Sequence, residues 1–120
     1  MIDHWIGFRD KYNLSGREIS IPISKDLSGA GAEIEILDNA GMLNEQTALY
    51  PGIRVSRDGY VPVGGCALGS GDPYFININE GEGGPLYRIY HDEVSDEGTY
   101  DRNTAIATVL KDYRELHLYM

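Results

Sequence analysis

The sequence predicts an α+β domain in which an antiparallel meander of about four to six strands is covered by one or two helices. Short β-branched and aromatic runs recur between residues 52 and 92, and glycine-rich connectors separate them. Connectors this short favour antiparallel pairing, because a parallel crossover needs about a dozen residues or more. Apolar residues at helical spacing near the C-terminus predict a helix that packs on this sheet.

The length and composition are those of one globular domain. The 120 residues include 42% apolar side chains, which is enough for a single core spanning residues 1–120. The 15 glycines are clustered between strand-like runs, so we interpret them as turn residues rather than as a flexible linker.

The meander itself is predicted from four alternating segments. Gly59 suits a turn with positive φ between the first two of them, and Pro62 suggests an edge position or a bulge in the second. Residues 80–85 are expected to form a hairpin loop between the last two. The four predicted strands are residues 53–56, 60–63, 74–79 and 86–91.

The flanking segments supply further elements. Residues 33–36 alternate as a half-buried strand, and Asp38 or Asn39 can start a helix that ends before Pro51. Residues 5–8 suggest a short helix and residues 19–21 a short strand. A C-terminal helix is predicted from a cap at Asp101 or Asn103 and from an apolar face formed by Ile106, Val109, Leu110 and Tyr113.

Charge excludes several classes of partner. Ten Lys and Arg against 19 Asp and Glu give a formal charge of −9, so we expect neither nucleic-acid binding nor docking on an anionic membrane. A single cysteine and the lack of a signal-peptide pattern or a long apolar run predict a cytoplasmic protein.

Catalytic, metal and nucleotide motifs are weak. Cys66 with His91 as its base is a formal nucleophile pair, but no cationic neighbour of Cys66 is predicted, so a small core residue is the favoured interpretation. Ser70 does not lie in the G-x-S-x-G motif of a nucleophile elbow. The three histidines do not show the i,i+3 or i,i+4 spacing of zinc ligands on a helix. We therefore predict no catalytic residue, no metal site and no cofactor.

Most of the negative charge falls in one stretch. Residues 72–101 hold eight acidic residues and one base, Arg88, which gives 1 − 8, or −7. Two interpretations remain open: loop carboxylates that confer solubility, or a negative face that steers a basic protein partner. On the second interpretation, the predicted partner-binding residues are Asp72, Glu80, Glu82, Asp92, Glu93, Asp96 and Glu97.

Three ordered segments carry a family likeness: GYVPVG at residues 59–64, LGSGDPYFI at 68–76 and GPLYRIYHD at 84–92. Together they resemble the SUKH superfamily of immunity-protein-like domains, which includes the yeast cell-wall assembly regulator. The resemblance covers roughly residues 33–115. The family's N-terminal helix with its Leu-Pro motif has no clear match in residues 1–32, which are therefore divergent or shortened.

The resemblance implies a non-enzymatic α+β domain. Bacterial members of the superfamily often bind and neutralise a polymorphic toxin, commonly a nuclease, and an acidic stretch suits the basic substrate channel of such a toxin. The alternative is a regulatory or scaffold domain of the same fold that has no toxin partner. The resemblance names neither the partner nor the oligomeric state.

Overall fold

The computed structural model describes residues 3–68 and 72–120, and over these residues it contains one sheet of six strands. Every neighbouring pair is antiparallel and the order in the sheet follows the chain, so the predicted α+β meander is confirmed. The strands are β1 (Glu18–Ile21), β2 (Ala32–Ile36), β3 (Tyr60–Cys66), β4 (Tyr74–Asn77), β5 (Leu86–Ile89) and β6 (Ile106–Leu110).

Four α-helices and four 3-10 helices lie in the described ranges. The α-helices are α1 (Asp3–Lys11), α2 (Asn39–Thr47), α3 (Gly52–Val55) and α4 (Arg102–Ala105). The 3-10 helices are Ser56–Asp58, Ile78–Glu80, His91–Glu93 and Tyr113–Tyr119. Within the same ranges, no helix has both the length and the apolarity to cross a membrane.

Helix α2 begins where the sequence predicts. The Asp38 carboxylate accepts a hydrogen bond from the Gly41 amide at 2.7 Å, which satisfies one of the amides that a helix leaves open at its first turn. The predicted short helix around residues 5–8 is part of α1, and the predicted strands at 19–21 and 33–36 lie within β1 and β2.

The prediction of a strand at residues 53–56 is wrong. This segment forms α3 and the start of the 3-10 helix Ser56–Asp58, with the Pro51 carbonyl accepting from the amides of Arg54 and Val55 at 2.8 and 3.1 Å. Val55 is fully buried, whereas Ile53 is 43% exposed. A four-residue alternation cannot separate a strand from a single helical turn, because both can bury one side chain of such a segment.

The predicted helical face at residues 106–113 is also corrected. Asp101 does cap a helix, accepting from the Asn103 amide at 2.8 Å, but α4 ends at Ala105 and the chain continues as β6. Residues 106–110 pair with the free edge of β5. Their β-branched side chains favour a helix only weakly, so the pairing with β5 determines the structure of this segment. The C-terminal helix that does form is the later 3-10 helix Tyr113–Tyr119.

The sheet is buried on both faces. Along β4, Tyr74 and Ile76 point to what we call the first face, and Phe75 points to the second. The first face packs with residues of α1, α2 and the C-terminal 3-10 helix, with Trp5 edge-on to Tyr113 at a ring distance of 5.4 Å. The core of the second face is smaller and contains Val55, Tyr60, Phe75, Tyr87, Ile89, Val94 and Ala105.

Candidate functional site

The predicted partner-binding carboxylates lie at two ends of one hairpin and in the loop beyond it. Glu80 and Glu82 belong to the connection between β4 and β5. Asp72 precedes β4 and Asp92 follows β5, so both lie at the opposite end of these antiparallel strands. The seven residues therefore do not form one continuous group, and each end has to be considered by itself.

At the hairpin end, the two glutamates face groups of their own chain. The Glu80 carboxylate accepts from the Tyr87 hydroxyl at 2.7 and 2.9 Å. Burial and this carboxylate together raise the pKa of Tyr87 well above its usual range. Glu82 lines a cavity beside α1 that also contains Lys11 and Arg114. The Glu80 carboxylate thus has a partner in its own chain, whereas Glu82 is exposed.

At the opposite end, His91 lies between two aspartates. Its Nδ1 atom is 2.6 Å from Asp72 Oδ1 and its Nε2 atom is 3.0 Å from Asp92 Oδ1. The His91 amide also donates to Asp72 Oδ1 at 3.0 Å. These contacts fix the start of the 3-10 helix His91–Glu93, on which Asp92 is 86% exposed.

The segment that follows presents four carboxylates to solvent, and we call Asp92, Glu93, Asp96 and Glu97 the acidic patch. Val94, between the two pairs, is buried in the core of the second face. In the described part of the chain, no ion pair or side-chain hydrogen bond involves Glu93, Asp96 or Glu97. The buried Val94 side chain therefore holds this segment against the core, while Glu93, Asp96 and Glu97 have charges that are available to a binding partner.

A tight turn holds the second half of the acidic patch. The Ser95 amide donates to the Thr99 carbonyl and the Gly98 amide to the Ser95 carbonyl, each at 2.9 Å. The Thr99 amide donates to Ser95 Oγ at 3.0 Å, and the Arg57 guanidinium donates to the Gly98 carbonyl. Asp96 and Glu97 lie inside this closed turn, so the backbone that carries them is held by hydrogen bonds on both sides.

The base in the acidic stretch, Arg88, is buried rather than exposed to its acidic neighbours. Its Nη2 atom donates to the Gly31 carbonyl at 2.6 Å and to the Tyr74 hydroxyl at 3.0 Å, and lies 3.5 Å from Asp26 Oδ2. The Asp26 side chain is fully buried, and its Oδ1 atom accepts from the Ser28 amide and hydroxyl. Arg88 thus neutralises an interior aspartate, which leaves the acidic patch without a cation from this stretch.

Sequence reasoning missed the Arg88–Asp26 pair. Burial of Arg88 is consistent with its place in β5 on the face opposite Tyr87, but its partner Asp26 lies in the connection between β1 and β2. No local pattern links the two segments, so the sequence carries no direct signal for the ion pair.

The residues of the rejected catalytic and metal motifs can also be placed. Cys66 and Asp72 line a cavity of about 550 Å³ together with Tyr74 and Arg88, and His91 is not among the described residues that line it. Ser70 lies outside the described residues. Over residues 3–68 and 72–120, no group of three or more His, Cys, Asp or Glu side chains is placed to hold a metal ion.

Comparison of the chain with protein-family models, with curated proteins and with solved structures finds no match.

Proposed function

We propose that this chain is a non-enzymatic, cytoplasmic protein-binding domain of immunity type, which binds and neutralises a toxin with a basic surface, such as a nuclease. The observation that carries the proposal is the acidic patch, in which Glu93, Asp96 and Glu97 have no ion pair or side-chain hydrogen bond within the described residues, and Asp96 and Glu97 lie in a turn closed by hydrogen bonds. The SUKH-like segments of the sequence support the same class of function.

The physical basis of the proposal is charge complementarity. A nuclease must hold a polyanionic substrate, so its substrate channel carries Lys and Arg side chains. Exposed carboxylates on an ordered backbone would attract such a surface over several ångströms and raise the rate of association. Because the turn at residues 95–99 is already closed by hydrogen bonds, binding would cost little ordering of the backbone.

The direct experiment is co-expression and pull-down with the protein encoded by the neighbouring gene, followed by binding kinetics at several salt concentrations. We expect a D96N/E97Q variant to associate about tenfold more slowly at low salt and to show a shallower salt dependence. The matched control is E18Q/E35Q, which removes the same charge from exposed residues of β1 and β2 and should associate at nearly the wild-type rate.

Two outcomes would count against the proposal. Binding whose rate and affinity do not change with salt would remove the steering argument. An isolated gene with no toxin neighbour, together with capture of a non-toxin partner, would favour the regulatory or scaffold alternative.

A further inference from the structure

A second polar cavity, of about 440 Å³, lies beside the acidic patch but has a different chemistry. It is bounded on one side by the 3-10 helix Ser56–Asp58 and on the other by residues 98–102. Two arginines, Arg57 and Arg102, are among its lining residues. Two guanidinium groups in one cavity are unexpected in a chain with 10 basic and 19 acidic residues.

Neither guanidinium is neutralised by a carboxylate in the described part of the chain. Arg57 donates through Nη2 to the Gly98 carbonyl, which leaves its Nε and Nη1 donors available. Arg102 has no ion pair there either, whereas Arg9, Arg88 and Arg114 each have one. Both cavity arginines therefore retain charge and N–H donors for a ligand.

Aromatic packing holds Arg102 in place. Its Cζ atom lies 5.6 Å from the centroid of the Tyr60 ring, in a cation–π contact. The Tyr60 ring is 1% exposed and packs edge-on against Tyr87 at 5.8 Å, so the surface under the guanidinium is itself fixed. Such an arginine loses less conformational entropy on binding a ligand than one on a mobile surface.

One acidic residue, Asp58, also lines the cavity. Its Oδ2 atom accepts from the Tyr100 hydroxyl, and burial together with this carboxylate raises the pKa of Tyr100 well above its usual range. The contact turns one oxygen of Asp58 towards Tyr100. The negative charge of Asp58 still opposes the binding of an anion, so removing this charge should strengthen binding, whereas removing an arginine should weaken it.

We propose that this cavity binds a phosphate group, as free phosphate or as a phosphomonoester. Arg57 and Arg102 both line the cavity and supply its charged N–H donors, whereas the hydroxyl of Thr99, which also lines the cavity, is hydrogen-bonded to Ser95 Oγ at 2.6 Å. The several oxygens of a tetrahedral phosphate can accept from two guanidinium groups, whereas a planar carboxylate is satisfied by a single guanidinium fork. This ligand is distinct from the basic protein partner proposed above and does not depend on it.

The test is a titration of the intact chain with inorganic phosphate, followed by amide chemical shifts. We expect saturable shifts at residues 56–58 and 98–102. Arg102→Gln should weaken phosphate binding about tenfold or more, because a charge-assisted contact is lost. Arg54→Gln is the matched control: it removes an exposed arginine of α3 that does not line the cavity, and it should leave the affinity nearly unchanged.

Asp58→Asn should tighten phosphate binding, since it removes the opposing charge. Structural damage to the site would weaken phosphate binding in both Arg102→Gln and Asp58→Asn. Weaker binding in the first variant and tighter binding in the second would therefore show that charge recognition is responsible. The same titrations are made with phenyl phosphate and with acetate. Tighter binding of phenyl phosphate than of phosphate would identify a monoester as the ligand, and the reverse would identify free phosphate.

Three results would overturn the proposal: no saturable shift with either phosphate probe, equal weakening in the Arg102 and Arg54 variants, or acetate binding as tight as that of phosphate. Circular dichroism of each variant checks that it is folded. Arg102 is exposed and donates no hydrogen bond in the described part of the chain, so its replacement should not unfold the protein.

Discussion

The two faces of the sheet differ in how they are covered. The first face packs against α1, α2 and the C-terminal 3-10 helix, and its large apolar core also contacts the buried Arg88–Asp26 ion pair through Tyr74. The second face is covered by short helices and by the loop at residues 94–101. Two of its tyrosines, Tyr87 and Tyr100, direct their hydroxyls to the carboxylates Glu80 and Asp58.

This difference explains where the candidate sites lie. A face closed by long helices offers stability but few exposed polar groups, whereas a face closed by a loop can present charged side chains from a backbone that the core anchors. Both the acidic patch and the arginine-lined cavity include residues of the loop that covers the second face. Because the first face has the larger buried core, we expect it to contribute more to the stability of the fold, whereas the proposed binding functions lie on the second face.

The largest expected effect is on the first face. Trp5→Ala should lower the free energy of unfolding by about 4 kcal/mol, because it leaves a cavity among packed aromatic rings. Trp5 is fully buried, with Tyr113 and Phe8 at ring distances of 5.4 and 5.8 Å. Urea unfolding measures the change.

The control for Trp5 is Leu68→Ala, at a side chain that is 79% exposed, which should change stability by less than about 0.5 kcal/mol. A loss of similar size in both variants would mean that the first face does not dominate stability.

The next effect concerns the buried ion pair. Arg88→Met should lower the free energy of unfolding by about 3 kcal/mol, since it leaves the buried Asp26 carboxylate without its counter-charge. Urea unfolding again gives the value. The second variant, R88M/D26N, removes both charges and should recover about half of this loss. No recovery would show that the contacts of Arg88 with Gly31 and Tyr74, rather than its charge, are what stabilise the fold.

Local signals predicted much of this structure. Asp38 and Asp101 each cap a helix as expected, and Gly59 adopts the positive φ of 93° that its turn position indicated. These features depend on a few consecutive residues, so their causes are visible in the sequence. The alternation at residues 74–77 and 86–89 likewise predicted which side chains share a face, although the predicted strands extended to residues 79 and 91, where 3-10 helices form instead.

The error at residues 106–110 and the failure to predict the cavity have a non-local cause. Residues 106–110 form a strand because β5 lies beside them, which helical spacing cannot reveal. The arginine-lined cavity brings Arg57 to the carbonyl of Gly98 across a sequence separation of 41 residues. The four carboxylates of the acidic patch are visible in the sequence because they lie within one short segment, whereas the cavity joins two distant ones.

The smallest effect is on the second face and depends on pH. At neutral pH, Tyr87→Phe should cost about 1 kcal/mol, the usual value of a hydrogen bond such as that between Tyr87 and Glu80. In the unfolded chain Tyr87 loses its proton near pH 10, whereas burial and the Glu80 carboxylate keep it protonated in the folded state. The folded state then binds more protons than the unfolded state, so wild-type stability falls as the pH rises above 10.

The Tyr87→Phe variant has no ionisable group at this position, so its stability does not fall in this way. The stability difference between wild type and Tyr87→Phe should therefore shrink above pH 10 and then reverse. Urea unfolding between pH 7 and pH 11 measures it. Glu80→Gln keeps the Tyr87 phenol but removes the carboxylate that opposes ionisation of this phenol. The stability that the Glu80→Gln variant loses above pH 10 should therefore lie between the losses of wild type and of Tyr87→Phe. A stability difference that stays constant with pH would mean that Tyr87 is as free to ionise in the folded state as in the unfolded chain. The second face would then be as open to solvent near Glu80 as an ordinary surface loop.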